Sequence, residues 1–203
     1  MNYLTCPLLL NEEIKTLKEN LSSDNSDWED GKKTAGILAS KVKNNLQLNR
    51  NSDSSTKNAR FIVQKILNNT LIKSFALPKK IHGIMFTKSS KGMKYGRHVD
   101  NAYMSSGRAD LSFSIFLNKK NSYAGGELVI ENINTENKFK LNDGEIIIYP
   151  STYLHSVEEI TNGERLVCVG WIESYVKSIE EREYLFDIDA GARGILAKYG
   201  RSD

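Results

Sequence analysis

The sequence is poor in the features that mark secreted, membrane-spanning and disulfide-bonded proteins. Its 203 residues include two cysteines, Cys6 and Cys168, which stand far apart and without the spacing of metal ligands. Such sparse cysteine argues against a disulfide framework and fits a reducing compartment. No apolar run approaches the roughly 20 residues that cross a bilayer as a helix. The first residues lack a basic segment and soon reach Glu12 and Glu13. We therefore expect no signal peptide, no membrane partner and a cytoplasmic location.

A strong charge of either sign is also missing. Lysine and arginine total 28 against 25 acidic residues, which leaves a net charge of +3. The basic residues are scattered, and doublets such as Lys32-Lys33 and Lys119-Lys120 are isolated. Proteins that bind nucleic acid concentrate their basic residues on one face, so we expect no nucleic-acid partner. The small positive balance suits anionic small molecules.

Helical patterns come first in the chain and strand patterns follow. Ile14, Leu17 and Leu21 recur at helical spacing, and a long amphipathic helix is predicted over residues 56–72. From residue 81 the pattern changes to short strands with turns between them, and residues 111–117 show a period-two pattern typical of a strand. Residues 177–186 are predicted to be helical again, with a continuation over 190–199.

This order of elements predicts a mainly β protein with flanking helices, built on a double-stranded β-helix or jelly roll. We divide the chain into an N-terminal helical and strand region (1–77) packing on the barrel, a double-stranded β-helix core (78–176) and a C-terminal helical tail (177–203). The turn at residues 161–164, which contains Gly163, predicts a hairpin. That hairpin would make the last two strands neighbours and bring His155 close to Arg165.

A small set of polar residues within this core points to a metal site. His98 and Asp100 are two residues apart, so on a strand their side chains would share a face. His155 can supply a third ligand from a distant strand. Two histidines and one carboxylate leave coordination positions open, as in non-haem Fe(II) oxygenases. Arg165, ten residues after His155, adds a permanent cation able to grip a carboxylate bidentately.

The sequence around these residues resembles that of the PKHD-type hydroxylases, which are iron(II)/2-oxoglutarate-dependent oxygenases related to prolyl and lysyl hydroxylases. The resemblance covers about residues 28 to 187, in the family's order. The matching segments are Asp30-Gly31, Thr34-Ala35-Gly36, Val42-Lys43-Asn44-Asn45, Gln47-Leu48, Tyr95-Gly96, His98-Val99-Asp100-Asn101-Ala102, Gly107-Arg108-Ala109-Asp110-Leu111-Ser112, Gly125-Gly126-Glu127-Leu128-Val129-Ile130, Tyr149-Pro150-Ser151, Leu154-His155 and Trp171-Ile172.

The resemblance implies hydroxylation of a substrate by O2, coupled to decarboxylation of 2-oxoglutarate to succinate. It implies that His98, Asp100 and His155 bind Fe(II) and that Arg165 binds the far carboxylate of 2-oxoglutarate. It also implies L-ascorbate as an accessory reductant. The substrate, a small molecule or a peptide, and the oligomeric state are left open. Family members usually run on into another C-terminal helix, whereas this sequence stops at Asp203, so a lid or oligomer contact built from that helix stays open too.

Two other classes of function remain open at this point. A cupin-like metal-dependent binding protein or isomerase would need the metal ligands but not Arg165. A degenerate barrel acting as an interaction protein would need neither, and the four intact site residues argue against it.

Several further residues have two interpretations. Tyr95 and Tyr149 could each donate a hydrogen bond to the far carboxylate of 2-oxoglutarate, or they could be packing aromatics. The segment from Lys43 to Asn45 could line the rim of the site, but we favour a strand and turn on the outside of the barrel. We assign no role to His82, which stands alone on its predicted strand and suits a polar rim.

Overall fold

Two antiparallel sheets pack face to face in the computed structural model, which describes residues 3–23, 27–36, 39–132 and 135–200. The strands are β1 (Leu4–Pro7), β2 (Trp28–Asp30), β3 (Lys43–Asn44), β4 (Leu46–Leu48), β5 (Pro78–Ser90), β6 (Lys94–His98), β7 (Tyr103–Met104), β8 (Gly107–Arg108), β9 (Leu111–Phe116), β10 (Ala124–Gly125), β11 (Leu128–Asn132), β12 (Thr135–Phe139), β13 (Glu145–Pro150), β14 (Leu154–Val157), β15 (Ile160–Asn162) and β16 (Glu164–Ser174). The helices are α1 (Asn11–Ser23), α2 (Asp53–Asn68), α3 (Thr70–Ala76) and α4 (Ile179–Tyr199), with 3-10 turns at Gly31–Thr34 and Ala39–Lys41.

The larger sheet has the strand order β1-β13-β9-β16-β5-β4-β2, and the smaller has the order β12-β11-β14-β6-β3. Two short ribbons, β7-β8 and β10-β15, lie beside them. The mainly β jelly-roll fold predicted from the sequence is thereby confirmed. No helix within the described ranges is long and apolar enough to span a membrane.

The seven-stranded sheet is covered on both faces, which explains why all six residues of β9 are buried. Leu111, Phe113 and Ile115 pack in the core under the helices. Phe116 faces the other way, into a second core between the sheets that also holds Ile130 of β11. Strand β16 alternates in the same manner, so its residues divide between the helix side and the barrel interior.

The helices differ in detail from their predicted extents. The helix predicted over 56–72 is two helices, because the Asn69 side chain accepts a hydrogen bond from the backbone N–H of Ile72 (3.0 Å) and caps a second one. The first of the two begins three residues earlier than predicted, at Asp53, where Ser52 provides the cap. Helix α4 runs through the predicted break without interruption.

The predicted hairpin between the last two long strands is wrong. Strand β14 pairs with β6 and β11 in the five-stranded sheet, whereas β16 pairs with β5 and β9 in the other. Between them β15 pairs with β10. A jelly roll passes the chain from one sheet to the other at such points, so a local turn signal does not make the flanking strands neighbours.

The three-part division of the chain stays a prediction. Residues before 78 contribute strands to both sheets, since β1, β2 and β4 join the larger one and β3 joins the smaller one. Residues 1–2, 24–26 and 37–38 of the N-terminal part and residues 201–203 of the tail lie outside the described residues.

Candidate metal centre

The two histidines of the predicted site lie directly opposite each other on neighbouring strands. His98 ends β6, His155 lies in β14, and the two are register partners with ring centroids 4.2 Å apart. The Nδ1 of His98 donates a hydrogen bond to the backbone carbonyl oxygen of Gly96 (2.8 Å). The Nδ1 of His155 donates one to the backbone carbonyl oxygen of Tyr153 (2.9 Å). Because a carbonyl only accepts, the proton sits on Nδ1 and the Nε2 lone pair stays available to a metal ion.

Asp100 reaches the same point from outside the strand. Strand β6 ends at His98, so Asp100 lies two residues beyond the strand, but the two side chains converge as expected. The Oδ1 atom of Asp100 lies 4.0 Å from Nε2 of His98, and its Oδ2 atom lies 3.8 Å from Nε2 of His155. The three ligand atoms lie within 4.8 Å of one another.

One hydroxyl group and one indole N–H group donate hydrogen bonds to the Asp100 carboxylate. Its Oδ2 accepts hydrogen bonds from Oγ of Ser112 (2.6 Å) and from Nε1 of Trp171 (2.9 Å). The Ser112 hydroxyl is in turn 2.8 Å from that of Ser151. Such partners fix the orientation of a ligating carboxylate and raise metal affinity.

This donor set fits a non-haem ferrous ion. Ligand atoms held about 2.1 Å from one centre lie roughly 3–4 Å apart, close to the two distances measured here. Burial, reinforced by the adjacent His155, lowers the pKa of His98 to about 4, which keeps its imidazole in the neutral form that binds metals. Two imidazoles and one carboxylate leave positions open for other ligands of the ion.

An extra residue in β6 brings Tyr95 onto the same face as His98. Val157 pairs with Tyr95 and His155 with His98, so three steps on β6 match two on β14, which is a β-bulge. The Tyr95 ring consequently stacks on the His98 ring at 3.7 Å between centroids. Tyr149 approaches the other histidine edge-on, with ring centroids 5.3 Å apart.

Arg165 is a buried cation in the opposite sheet. Its side chain lies on β16, the residue is 4% exposed, and its Nε has no hydrogen-bond partner among the described residues. Burial lowers the pKa of the guanidinium, an effect that Tyr123 and Tyr149 oppose. The Oη of Tyr123 is likewise buried and unpaired within the described part of the chain. A buried guanidinium with a free Nε, beside the phenols of Tyr123 and Tyr149, fits the far carboxylate of 2-oxoglutarate.

Gly126 is needed for this arrangement. Its φ is +72°, a backbone conformation that side-chain-bearing residues rarely adopt, and a Cβ there would lie 3.0 Å from Cδ of Arg165. The chain turns here from Tyr123 into β11, which places a phenol and the arginine stem against each other.

Sequence reasoning missed the roles of Ser112, Tyr123 and Trp171. Trp171 is six residues after Arg165 on β16, so even spacing puts both on the interior face. The indole is accommodated by a one-residue bulge in β5 at Gly83, where a Cβ would come within 2.4 Å of the ring. His82, predicted to be a rim residue, is instead buried and bonded to Ser106 Oγ and the Arg108 carbonyl.

Comparison with known proteins agrees with this geometry. Residues 84–173 match the 2OG-Fe(II) oxygenase superfamily. A prolyl-4-hydroxylase from Pseudomonas putida has the same fold, with a TM-score of 0.60 at 16% identity over 85% of this chain and 92% of that one. A Trichoplax adhaerens prolyl hydroxylase, solved with a peptide fragment of hypoxia inducible factor, gives 0.60 at 14% identity over 91% and 86%. The solved structures share the fold of this chain, and the matched segment is that of the 2OG-Fe(II) oxygenase superfamily.

A narrower relationship follows from sequence identity. A PKHD-type hydroxylase of Prochlorococcus marinus strain AS9601 is 73% identical over all 203 residues, which cover 92% of that relative. The chain belongs to the PKHD-type hydroxylases. This membership favours an oxygenase over the cupin-like binding protein or isomerase that the sequence left open.

Proposed function

We propose that the protein hydroxylates a small-molecule or peptidyl substrate with O2 while decarboxylating 2-oxoglutarate to succinate. The observation that carries this proposal is the convergence of His98, Asp100 and His155 in a jelly roll that also buries Arg165, whose Nε has no partner among the described residues. In this proposal the three clustered residues bind Fe(II) and Arg165 anchors the cosubstrate. The bound ferrous ion supplies the redox chemistry by which O2 and 2-oxoglutarate react.

The remaining residues hold and shield these groups. Ser112 and Trp171 occupy Oδ2 of Asp100 and thereby orient the carboxylate towards the two Nε2 atoms. Tyr149 contacts the His155 ring, and Arg165 is close enough to affect its pKa. We therefore assign Tyr149, with Tyr123, to the cosubstrate pocket. Tyr95 stacks on His98 and is assigned to packing against the ligand ring. The apolar core between the sheets keeps water from the reacting groups.

Three parts of the proposal rest on the family and on composition. L-Ascorbate is proposed as the accessory reductant, and a cytoplasmic location is proposed because both cysteines are free thiols. A peptide is proposed as one class of substrate because the Trichoplax hydroxylase was solved with one.

Iron-dependent decarboxylation of 2-oxoglutarate tests this function, with candidate substrates present and absent. His98→Ala and His155→Ala should abolish tight Fe(II) binding and turnover while the far-ultraviolet circular dichroism spectrum stays unchanged. The third histidine provides a matched control. His82→Ala should keep the metal but lower the thermal midpoint, because it leaves the Arg108 carbonyl and the Ser106 hydroxyl without their partner. Full iron stoichiometry in either of the first two variants would remove that histidine from the ligand set.

A further inference from the structure

Lys43 is a second buried cation in the barrel that the reaction described above does not use. The residue is 5% exposed. Among the described residues no carboxylate lies within ion-pair distance of its Nζ, and no hydrogen bond from Nζ is found. Nζ lies 5.2 Å from the centroid of the Tyr95 ring. The lysine stem is confined by Gly31, where a Cβ would lie 3.1 Å from Cε of Lys43.

Strand pairing places this ammonium group beside the metal centre. Lys43 of β3 is the register partner of Tyr95 in β6, so the two side chains share a sheet face. Tyr95 in turn stacks on His98, and the charge of Lys43 affects the pKa of that histidine. The segment we expected to pack on the outside of the barrel thus presents a cation to its interior.

Keeping this charge buried costs stability. Burial, together with the neighbouring Arg50, lowers the pKa of Lys43 to about 8, so most molecules still carry the proton at neutral pH. A single cation–π contact offsets only a small part of the desolvation penalty. Asp100 and Asp30 attract the ammonium from beyond ion-pair distance, and the carboxylate of Asp100 already accepts hydrogen bonds from Ser112 and Trp171. A cation in this position, with no ion-pair partner among the described residues, is suited to a ligand of opposite charge.

We propose that Lys43 binds a carboxylate group of the hydroxylated substrate, which makes the substrate a carboxylate-bearing molecule. This inference rests on the proposed function. The two carboxylates of 2-oxoglutarate already have partners there, one at the metal and the other at Arg165, so Lys43 is left for the substrate.

Equilibrium binding to a catalytically inert complex tests the inference. The full chain is loaded with Ni(II) and 2-oxoglutarate, and calorimetry measures its affinity for three matched pairs of probes. These are benzoate and benzamide, nicotinate and nicotinamide, and N-acetylproline and its primary amide. The wild type should bind at least one carboxylate about ten- to a hundredfold more tightly than its amide, the usual effect of one charge-assisted hydrogen bond. Lys43→Met should lose this preference, and Lys43→Arg should retain part of it.

Stability provides a second readout that a purely structural lysine would not give. Lys43→Met keeps an unbranched apolar stem and removes the buried charge. The ligand-free variant should therefore melt higher than the wild type, by about 2–4 °C. Binding of Ni(II) and 2-oxoglutarate should be unchanged.

Each contrary result has a distinct meaning. Failure of every carboxylate to bind the wild type, or an equal preference in wild type and Lys43→Met, overturns the inference. Weaker 2-oxoglutarate binding by Lys43→Met also overturns it, because the lysine would then belong to the cosubstrate. A lower melting point with an unchanged carboxylate preference assigns Lys43 to structure alone. A wild type that binds neither Ni(II) nor 2-oxoglutarate contradicts the proposed function itself and is detected before any probe is added.

Discussion

Replacing Arg165 by leucine should separate cosubstrate binding from metal binding. The guanidinium is almost fully buried and its Nε has no partner within the described part of the chain. Its Cζ lies 5.2 Å from the centroid of the Phe116 ring, so the cation rests on an apolar wall. A bound carboxylate would therefore meet this cation in a poorly hydrated place, where a charge pair is strong and a missing partner is costly.

The expected magnitude follows from that burial. Removing one partner of a buried charge pair typically costs ~3–5 kcal/mol. Since every 1.4 kcal/mol is tenfold, the Kd for 2-oxoglutarate should rise by roughly two to three orders of magnitude in Arg165→Leu. Arg165→Lys should lose less, because the charge survives while the bidentate fork is lost. Without cosubstrate, Arg165→Leu should not melt lower than the wild type, because the change removes a buried charge that has no carboxylate within ion-pair distance among the described residues.

Anaerobic calorimetry with 2-oxoglutarate measures these affinities on protein loaded with Fe(II), and metal analysis confirms the loading. Arg97→Leu is a matched control, because Arg97 lies on the strand of His98 but is exposed and paired with Glu131. It should bind 2-oxoglutarate as the wild type does. An unchanged Kd in Arg165→Leu would refute the assignment of Arg165 as the anchor.

Three further predictions concern the groups around the ligands. Trp171→Phe removes the indole donor from Asp100 and should weaken metal binding about 10–100-fold in a competition titration, with the fold intact; unchanged affinity would leave the indole a packing role only. The pKa of His98 lies at about 4, below the value near 6.5 of an unfolded chain, so the unfolded state binds the proton more readily. Metal-free protein should therefore lose stability as the pH falls from about 6.5 towards about 4, and denaturant midpoints should fall less steeply for His98→Gln. Gly126→Ala forces a side chain into a left-handed conformation at a cost of about 1–2 kcal/mol and crowds Arg165, so its melting point and its 2-oxoglutarate affinity should both fall while metal binding stays.

The sequence predicted the fold because local periodicity agrees with the tertiary structure over most of the core. The alternation over residues 111–117 matches a strand whose two faces lie in two different cores. The metal-binding chemistry of histidine and aspartate also pointed to His98, Asp100 and His155, the three residues that the structure brings together. Both results depend on patterns that a few neighbouring residues carry.

The features that could not be predicted from the sequence depend on contacts between distant segments. The turn near Gly163 looks like a hairpin locally, but which sheet each flanking strand joins is decided by partners far along the chain. The donors to Asp100 come from β9 and β16, and no local signal links Trp171 to a carboxylate 71 residues away. The burial of Lys43 is equally non-local, since it follows from the pairing of β3 with β6.

The division of the proposed metal ligands between the two sheets has a consequence for the lifetime of the protein. Both histidines belong to the smaller sheet, while the carboxylate is fastened to the larger one through Ser112 and Trp171. An ion bound by all three residues would link the two sheets, and its binding free energy would add to the free energy of unfolding. At a free ion concentration of 100 times Kd, this addition is about 2.7 kcal/mol. A shortage of iron would then lower the stability of the protein as well as its activity. The metal-free form would be degraded by proteases sooner than the metal-bound form.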